Sequence, residues 1–519
     1  MPPISTDYGK LLRKATNRRI SMKLTNEGIK DRTAWESKGY KLPDYDREKI
    51  IANTKQNPTW IHFGAGNIFR AFQANVVDKL LDEGIVDTGL IVAEGYDYEI
   101  IEKYNRACDD LSILATLKAD GTVEKKVVGS IAESCILDED NEKEIERLRE
   151  IFRAPSLQMV SFTITEKGYK TKAYMSKVVG LILERFKAGA LPISIVSMDN
   201  CSHNGDKLKE AVVELAKEWF KEGKCEADFI AYLENPQLVA FPLTMIDKIT
   251  PRPDDTVKKM LIEDGVEGAE PIVTTKNTYV ANFVNAEETE YLVIEDLFPN
   301  GRPALEKGGI LFTDRITVDK TEKMKVCTCL NPLHTALAIY GCILGYKTIH
   351  DEMNDKALKK MVTILGKEEG MKTVVNPGVI SPDDFLDAVL TKRLPNPFMP
   401  DTPQRIACDT SQKLPIRFGE TIKAYRANSS LGTDKLKIIP FVLAGYLRYL
   451  EGKDDDGNPF EQSPDPLLDE LKGMPAKDVL KRTDVFGVDL YEDNLAARVL
   501  EIYVRLQGKG NVRKELEKL

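Results

Sequence analysis

Between residues 55 and 300 of the chain, short apolar runs alternate with longer amphipathic stretches. The runs TWIHF, GLIVAE, LQMVSFTIT and PISIVSMDN are separated by segments such as AFQANVVDKLLDEG and AYMSKVVGLILERFKAG. Short β-rich runs alternating with helix-length amphipathic segments predict a parallel α/β sheet with crossover helices. From about residue 320 the apolar spacing turns helical almost throughout, in HTALAIYGCILGY, KALKKMVTILGKEEGMKTV, DDFLDAVLTKRL, IIPFVLAGYLRYLEG and NLAARVLEIYVRLQGKG. A mainly α-helical second domain is expected there. EGKDDDGNPFEQSPDP reads as a solvated loop between helices, from its charge and its Gly and Pro content. Residues 1–50 are polar, with Trp35 and Tyr40 in RTAWESKGYKLPDYDRE. They could not build a core alone, and are expected as an arm laid over the body. The division is an arm at 1–50, an α/β domain at 51–318 and a helical domain at 319–519.

Length supports two domains, because 519 residues exceed one hydrophobic core. No apolar run is read as membrane-spanning, and MPPISTDYGKLLRKATNRR lacks the apolar centre of a secretory signal, so a cytoplasmic protein is expected. The net charge of −9 argues against a general nucleic-acid binder. Eight scattered cysteines without a CxxC pair read as reduced thiols. Cys327 and Cys329 form a lone CxC with His334 nearby. Zinc would need further ligands, so packed thiols and no metal are expected.

The strongest local signal is WIHFGAGNIFRAF, residues 60–72. An apolar strand enters Gly64-Ala65-Gly66, and a helix pattern follows Asn67 at Ile68, Phe69, Phe72, Val76 and Leu80. Glycines permit a tight turn and close approach of a pyrophosphate, whose charge the helix N-terminus favours. The third glycine of the usual GxGxxG is replaced by Phe69. The competing reading is an ordinary strand-to-helix turn. The second strand ends in GLIVAEGYD, where Glu94 or Asp97 could hold an adenosine ribose. An acid there, with no arginine in the stretch, favours NAD over NADP.

Further blocks follow in order: FTITEKGY (162–169), SMDNCSHNG (197–205), FPLTMIDKITP (241–251), YLVIEDLFPNGRPALEKGG and DTSQKLPIRF (409–418). Together with GAGNIFRAF they resemble the polyol-specific long-chain dehydrogenases, the mannitol dehydrogenase family, over about residues 55–450. The resemblance implies a Rossmann-type dinucleotide-binding domain, a mainly helical second domain, a substrate cleft between them, and metal-independent hydride transfer between NAD(P) and a sugar alcohol or sugar acid. It implies Gly64, Ala65, Gly66, Asn67, Ile68, Arg70, Glu94, Asp97 and Thr165 at the cofactor. It implies Lys325, Asn331, His334 and Asn200 at the reacting centre, and Asp247, Lys248, Lys413 and Arg417 around the substrate.

The family motif K-x-x-x-x-N-x-x-H fits Asn331 and His334, but Lys325 lies one residue too far upstream, with Lys323 as the fallback. Nine residues of ideal helix turn a side chain by about 900°, which would set Lys325 and His334 on opposite sides. An irregularity between Lys325 and Pro332 is therefore expected. It could be a π-bulge, or a break with Asn331 as N-cap and Pro332 at the first helical position. Removal of a hydroxyl proton asks for a base, and developing alkoxide charge asks for amide donors such as Asn200 and Asn331. Two cations, Lys413 and Arg417, suit a carboxylate. The form KVCTCLNPLHTALA implies interconversion of D-mannonate and D-fructuronate, with tagaturonate or mannitol and other polyols as alternatives. The rival of another class is an NAD(H)-binding sensor that has lost catalysis, motivated by the displaced lysine. A small-molecule substrate, no nucleic acid or membrane partner, and a monomer or small homo-oligomer complete the expectation.

Overall fold

The structure is a computed structural model that describes residues 21–519. The first part of the arm and the N-terminal stretch quoted above lie outside the described residues. Six parallel strands form the central sheet: β1 (Trp60–Phe63), β2 (Leu90–Glu94), β3 (Ile131–Ile136), β4 (Met159–Phe162), β5 (Ile193–Ser197) and β6 (Val239–Ala240). Their order in the sheet is β3-β2-β1-β4-β5-β6. This is the doubly wound order of dinucleotide-binding domains, and it reverses between β1 and β4, where ligands bind beyond the carboxyl ends of the strands. Strand side chains alternate between two cores. Ile61 and Phe63 of β1 face one, and Trp60 faces the other. Burial on both faces explains why these strands read as continuous apolar runs.

Two smaller sheets finish this part of the molecule. In one, β7 (Thr244–Asp247) runs antiparallel to β9 (Tyr291–Glu295), which pairs with Leu311–Thr313. In the other, β8 (Phe283–Glu287) joins the hairpin Ser112–Leu117/Val123–Val128. The arm adds Tyr40–Lys41 as this sheet's outer strand. Trp35 is fully buried, edge-on to Tyr40 at 5.1 Å.

The remainder is helical. Helix α1 (Ala74–Asp82) follows the glycine turn, and α2 (Asn204–Lys221) follows β5. Helices α3 (Arg315–Met324) and α4 (Asn331–Leu344) lead into the second domain, and every residue of α5 (Ile438–Tyr449) is buried in its core. Contrary to the sequence expectation, the run Arg315–Leu344 is long and apolar enough to span a bilayer, but 78% of its most apolar window is buried inside the fold. Among the described residues six helical turns are widened to π geometry, at Phe69–Gln73, Ile101–Asn105, Lys325–Cys329, Leu365–Glu369, Val389–Arg393 and Pro415–Gly419.

Candidate active site between the two domains

The cofactor end is built from the carboxyl ends of the strands. Gly64 has φ +110°, and a Cβ there would stand 2.6 Å from the Thr163 carbonyl oxygen on the neighbouring strand end. Around Gly66 the space is open, and Asn67 begins the helix. Open space over a glycine at a helix N-terminus suits a pyrophosphate, so these residues fit a dinucleotide. Phe69 takes the place of the third glycine by stacking on His62 at 4.3 Å, and the wide turn Phe69–Gln73 admits the ring. His62 is a core histidine held by Ser161 and Thr163, and burial pushes it down to about 3.

Several residues expected on the cofactor have other partners. The Glu94 carboxylate accepts from the backbone N–H groups of Ala65, Tyr96 and Asp97, tying the glycine turn to the end of β2. Asp97 is buried and accepts from Thr274 at 2.6 Å, on a distant hairpin. Arg70 turns into the core and donates to the Ala281 carbonyl at 2.8 Å, because the widened turn points it away from the strand ends. Thr165, at φ +66°, donates its N–H to Asp199, which also accepts from the Ile164 N–H and from Tyr169. Asp199 thereby fastens β4 to β5, and Asn204 fastens β5 to β7 through Thr244.

The expected irregularity is a π turn. The Leu330 N–H bonds the Lys325 carbonyl five residues back, and α4 begins at Asn331. Leu330, not Asn331, is the cap, and Asn331 is already helical. The extra residue is absorbed in Lys325–Cys329, so Lys325 and His334 line the same cleft, as do Asn200 and Asn331. The cleft measures about 530 Å³. Lys325 is 5% exposed, and its Nζ donates to Ile246 O at 3.0 Å, Asp247 Oδ1 at 3.1 Å and Asn200 Oδ1 at 3.2 Å. The bond at Oδ1 leaves the Asn200 Nδ2 to donate elsewhere. Lys323 pairs with Asp319 on the surface and drops out as an alternative.

Asp247 is buried at the edge of the cleft. Burial alone would raise its carboxyl, but Lys325 and Arg393 hold it below the ordinary value. Arg393 reaches Asp247 at 2.6 Å and forks onto Glu287 at 2.7 and 2.8 Å. Across the cleft, His334 Nε2 is buried with no hydrogen-bond partner, 3.4 Å from Asp401 Oδ2, and Arg405 pairs with Asp401. Burial, then Arg417, Arg405, Arg393 and Lys413, push His334 down to about 3.

Three of the residues expected on substrate are committed to protein groups: Asp247 to Lys325 and Arg393, as above, and Lys248 and Lys413 to other partners. Lys248 donates to the Glu287 carbonyl and pairs with Glu290, because β7 ends beside that hairpin. Lys413 donates to the carbonyls of Ile406 and Cys408. Arg417 bonds only the Thr335 hydroxyl and has no carboxylate partner among the described residues. Burial lowers it to about 10. The sequence reading missed Arg393, Glu287, Asp401 and Arg405. Nothing local marks Arg393 among 73 lysines and arginines. The one available signal was Lys248, which cannot make the fork an arginine makes. Cys329 is buried and Cys327 half-buried on the π turn, and burial raises both thiols, to about 12 and about 11.

A doubly wound domain, a glycine turn with open space above it and a buried lysine bonded to an amide in the adjoining cleft are the parts of a nucleotide-dependent oxidoreductase. Residues 58–307 match the model of the mannitol dehydrogenase Rossmann domain, and residues 317–507 match that of the mannitol dehydrogenase C-terminal domain. The chain belongs to the mannitol dehydrogenase family. It is 49% identical to the D-mannonate oxidoreductase of Thermotoga maritima, over 96% of this chain and 99% of that one. Identity to the polyol:NADP oxidoreductase of Gluconobacter oxydans is 28%, over 88% and 90% of the two chains. Among solved structures, a substrate-free D-sorbitol dehydrogenase superposes with a TM-score of 0.76 at 25% identity, covering 91% of this chain and 97% of that one. The mannitol 2-dehydrogenase of Pseudomonas fluorescens has the same fold, with a TM-score of 0.67 at 24% identity, covering 96% and 99%.

Proposed function

We propose that this chain interconverts D-mannonate and D-fructuronate with NAD as hydride carrier. The observation that carries the sugar-acid reading is Arg417, a half-buried cation near enough to His334 to depress its basicity and with no carboxylate partner among the described residues. A substrate carboxylate would supply the missing charge through charge-assisted hydrogen bonds. The near-complete alignment with a D-mannonate oxidoreductase supports the particular acid. When bound, the nicotinamide supplies the acceptor for the hydride.

The protein's own groups do the rest. Lys325 takes the hydroxyl proton at Nζ: as a neutral amine it keeps two N–H donors for two of the three oxygens around it, and its lone pair takes the place of the third bond. The amide nitrogens of Asn200 and Asn331 donate to the oxygen as its charge grows. The unpartnered nitrogen of His334 takes a neighbouring hydroxyl, and its depressed basicity keeps it neutral at physiological pH. Eight free cysteines support a reducing, cytoplasmic setting.

NADH oxidation with D-fructuronate, D-tagaturonate and D-fructose, on wild type and Lys325→Ala, tests this. Fructuronate turnover that falls by about 10²–10⁴-fold in the variant is expected. Preference for fructose would move the enzyme to polyols, and NADH binding without any turnover would leave a sensor.

A further inference from the structure

We propose that Arg393 is a positioning residue for the base: it clamps Asp247 in the orientation that grips Lys325, and sets the charge that Lys325 faces. This rests on the reading of Lys325 as the base.

The geometry is a chain of bonds with no slack in it. One nitrogen of Arg393 holds Asp247 Oδ2 at 2.6 Å, and the other oxygen of the same carboxylate lies 3.1 Å from Lys325 Nζ. The remaining edge of the guanidinium makes the two-point fork on Glu287. Glu287 is further fixed by the Ile249 N–H at 2.8 Å. The four side chains are between 1% and 6% exposed. Two cations and two carboxylates balance, which is the condition for keeping charges out of water. A rotation of Asp247 would break its bond to Lys325 and to Arg393 together, so the arginine fixes where Nζ sits.

The residues come from both domains. Arg393 closes a π turn of the helical domain, whereas Asp247 ends β7 and Glu287 ends β8. The segment that carries Arg393 is itself fastened across the interface. Asn396 donates to the Leu117 carbonyl at 2.9 Å, and Lys392 lies 3.7 Å from Glu288. The base is therefore aligned only where the two domains meet. Lys248, the neighbour of Asp247 in sequence, is turned away to Glu290 and cannot replace the fork. The other charged or titratable groups lining this cleft are Glu322 on the helix that leads into Lys325, Asp199 and Cys201 beyond β5, and His334, Asp401 and Arg405 opposite. None of them bonds Asp247.

The test measures kcat and KM against pH for D-mannonate oxidation in wild type, Arg393→Gln, Arg393→Lys and Lys325→Ala, with melting temperatures alongside. Arg393→Gln is expected to lower kcat by about 10²-fold through misplacement of Nζ, with KM for NAD unchanged. Loss of a positive charge from the buried cluster is also expected to move the acidic limb of kcat to higher pH. Arg393→Lys keeps the charge and loses the fork, so its limb stays at the wild-type pH while kcat remains about tenfold low. An unmoved limb in Arg393→Gln overturns the proposal if Lys325→Ala is inactive. Should Arg393→Gln fail to fold, wild-type kcat in Arg393→Lys overturns it and the lowered kcat supports it. Full activity in Lys325→Ala refutes the base reading instead, and the proposal with it.

Discussion

In the proposed reading, Arg417 is the cation that meets the carboxylate of a sugar acid. Replacing Arg417 by Met removes the charge and keeps much of the stem, so binding of a carboxylate substrate should suffer most. KM for D-fructuronate is expected to rise roughly 10- to 100-fold, the loss of one hydrogen bond to a charged group. Any fructose turnover should stay as it was, and equal losses on both substrates would remove Arg417 from recognition. His62 makes a prediction about stability. Its folded pKa of about 3 lies below its ordinary 6.5, so the unfolded chain binds the proton first. The contribution is present above pH 6.5 and is lost as pH falls toward 3. At pH 5 about 2 kcal/mol of it has been lost. Denaturant unfolding at pH 7 and pH 5 should show wild type losing that much more than His62→Asn, and parallel losses would refute it.

Helical turns that depart from 3.6-residue geometry carry several of the residues discussed here. Lys325 opens one such turn, Arg393 closes another and Arg417 lies within a third. The sequence announced the first, since a nine-residue separation of Lys325 and His334 is out of phase on a regular helix. It announced the glycine turn as well, and the two glycines should separate fold from binding. Gly64→Ala meets both a positive φ and the Thr163 carbonyl, and should destabilise by about 1–3 kcal/mol. Gly66→Ala meets nothing in the protein, so its melting temperature should hold while KM for NAD rises. A fall in melting temperature for Gly66→Ala would contradict this assignment of the open space. What the sequence left illegible was partner choice. Asp97, Arg70 and Lys248 stand where the motifs put them, but their partners come from distant segments, such as Thr274 for Asp97 and Ala281 for Arg70. Short-range pattern carries no information about which distant backbone arrives at a side chain.

The molecule as a whole places its interdomain cleft at the meeting of separate cores. Two hydrophobic clusters cover the faces of the central sheet, a third packs the helical domain, and a fourth lies under the arm. The cleft lies where β7 and the strand-end loops meet α3, the π turn and α4. A dinucleotide bound at the strand ends is expected to stabilise the folded state by about 2.7 kcal/mol at a hundredfold excess over Kd. Thermal melts across an NADH titration check this, and a flat response would mean that the cofactor does not select the native state.

The ion cluster at Arg393 also bears on descent by recombination. Its carboxylates lie at residues 247 and 287 and its arginine at residue 393, on opposite sides of any exchange point between the domains. A hybrid of this α/β domain with the helical half of a relative inherits Asp247 and Glu287 without their counter-ion, unless the donor brings an arginine to the same place. Two carboxylates buried side by side repel each other and the fold around them. Exchange of whole domains is therefore constrained by a contact that leaves no mark in either domain's sequence alone.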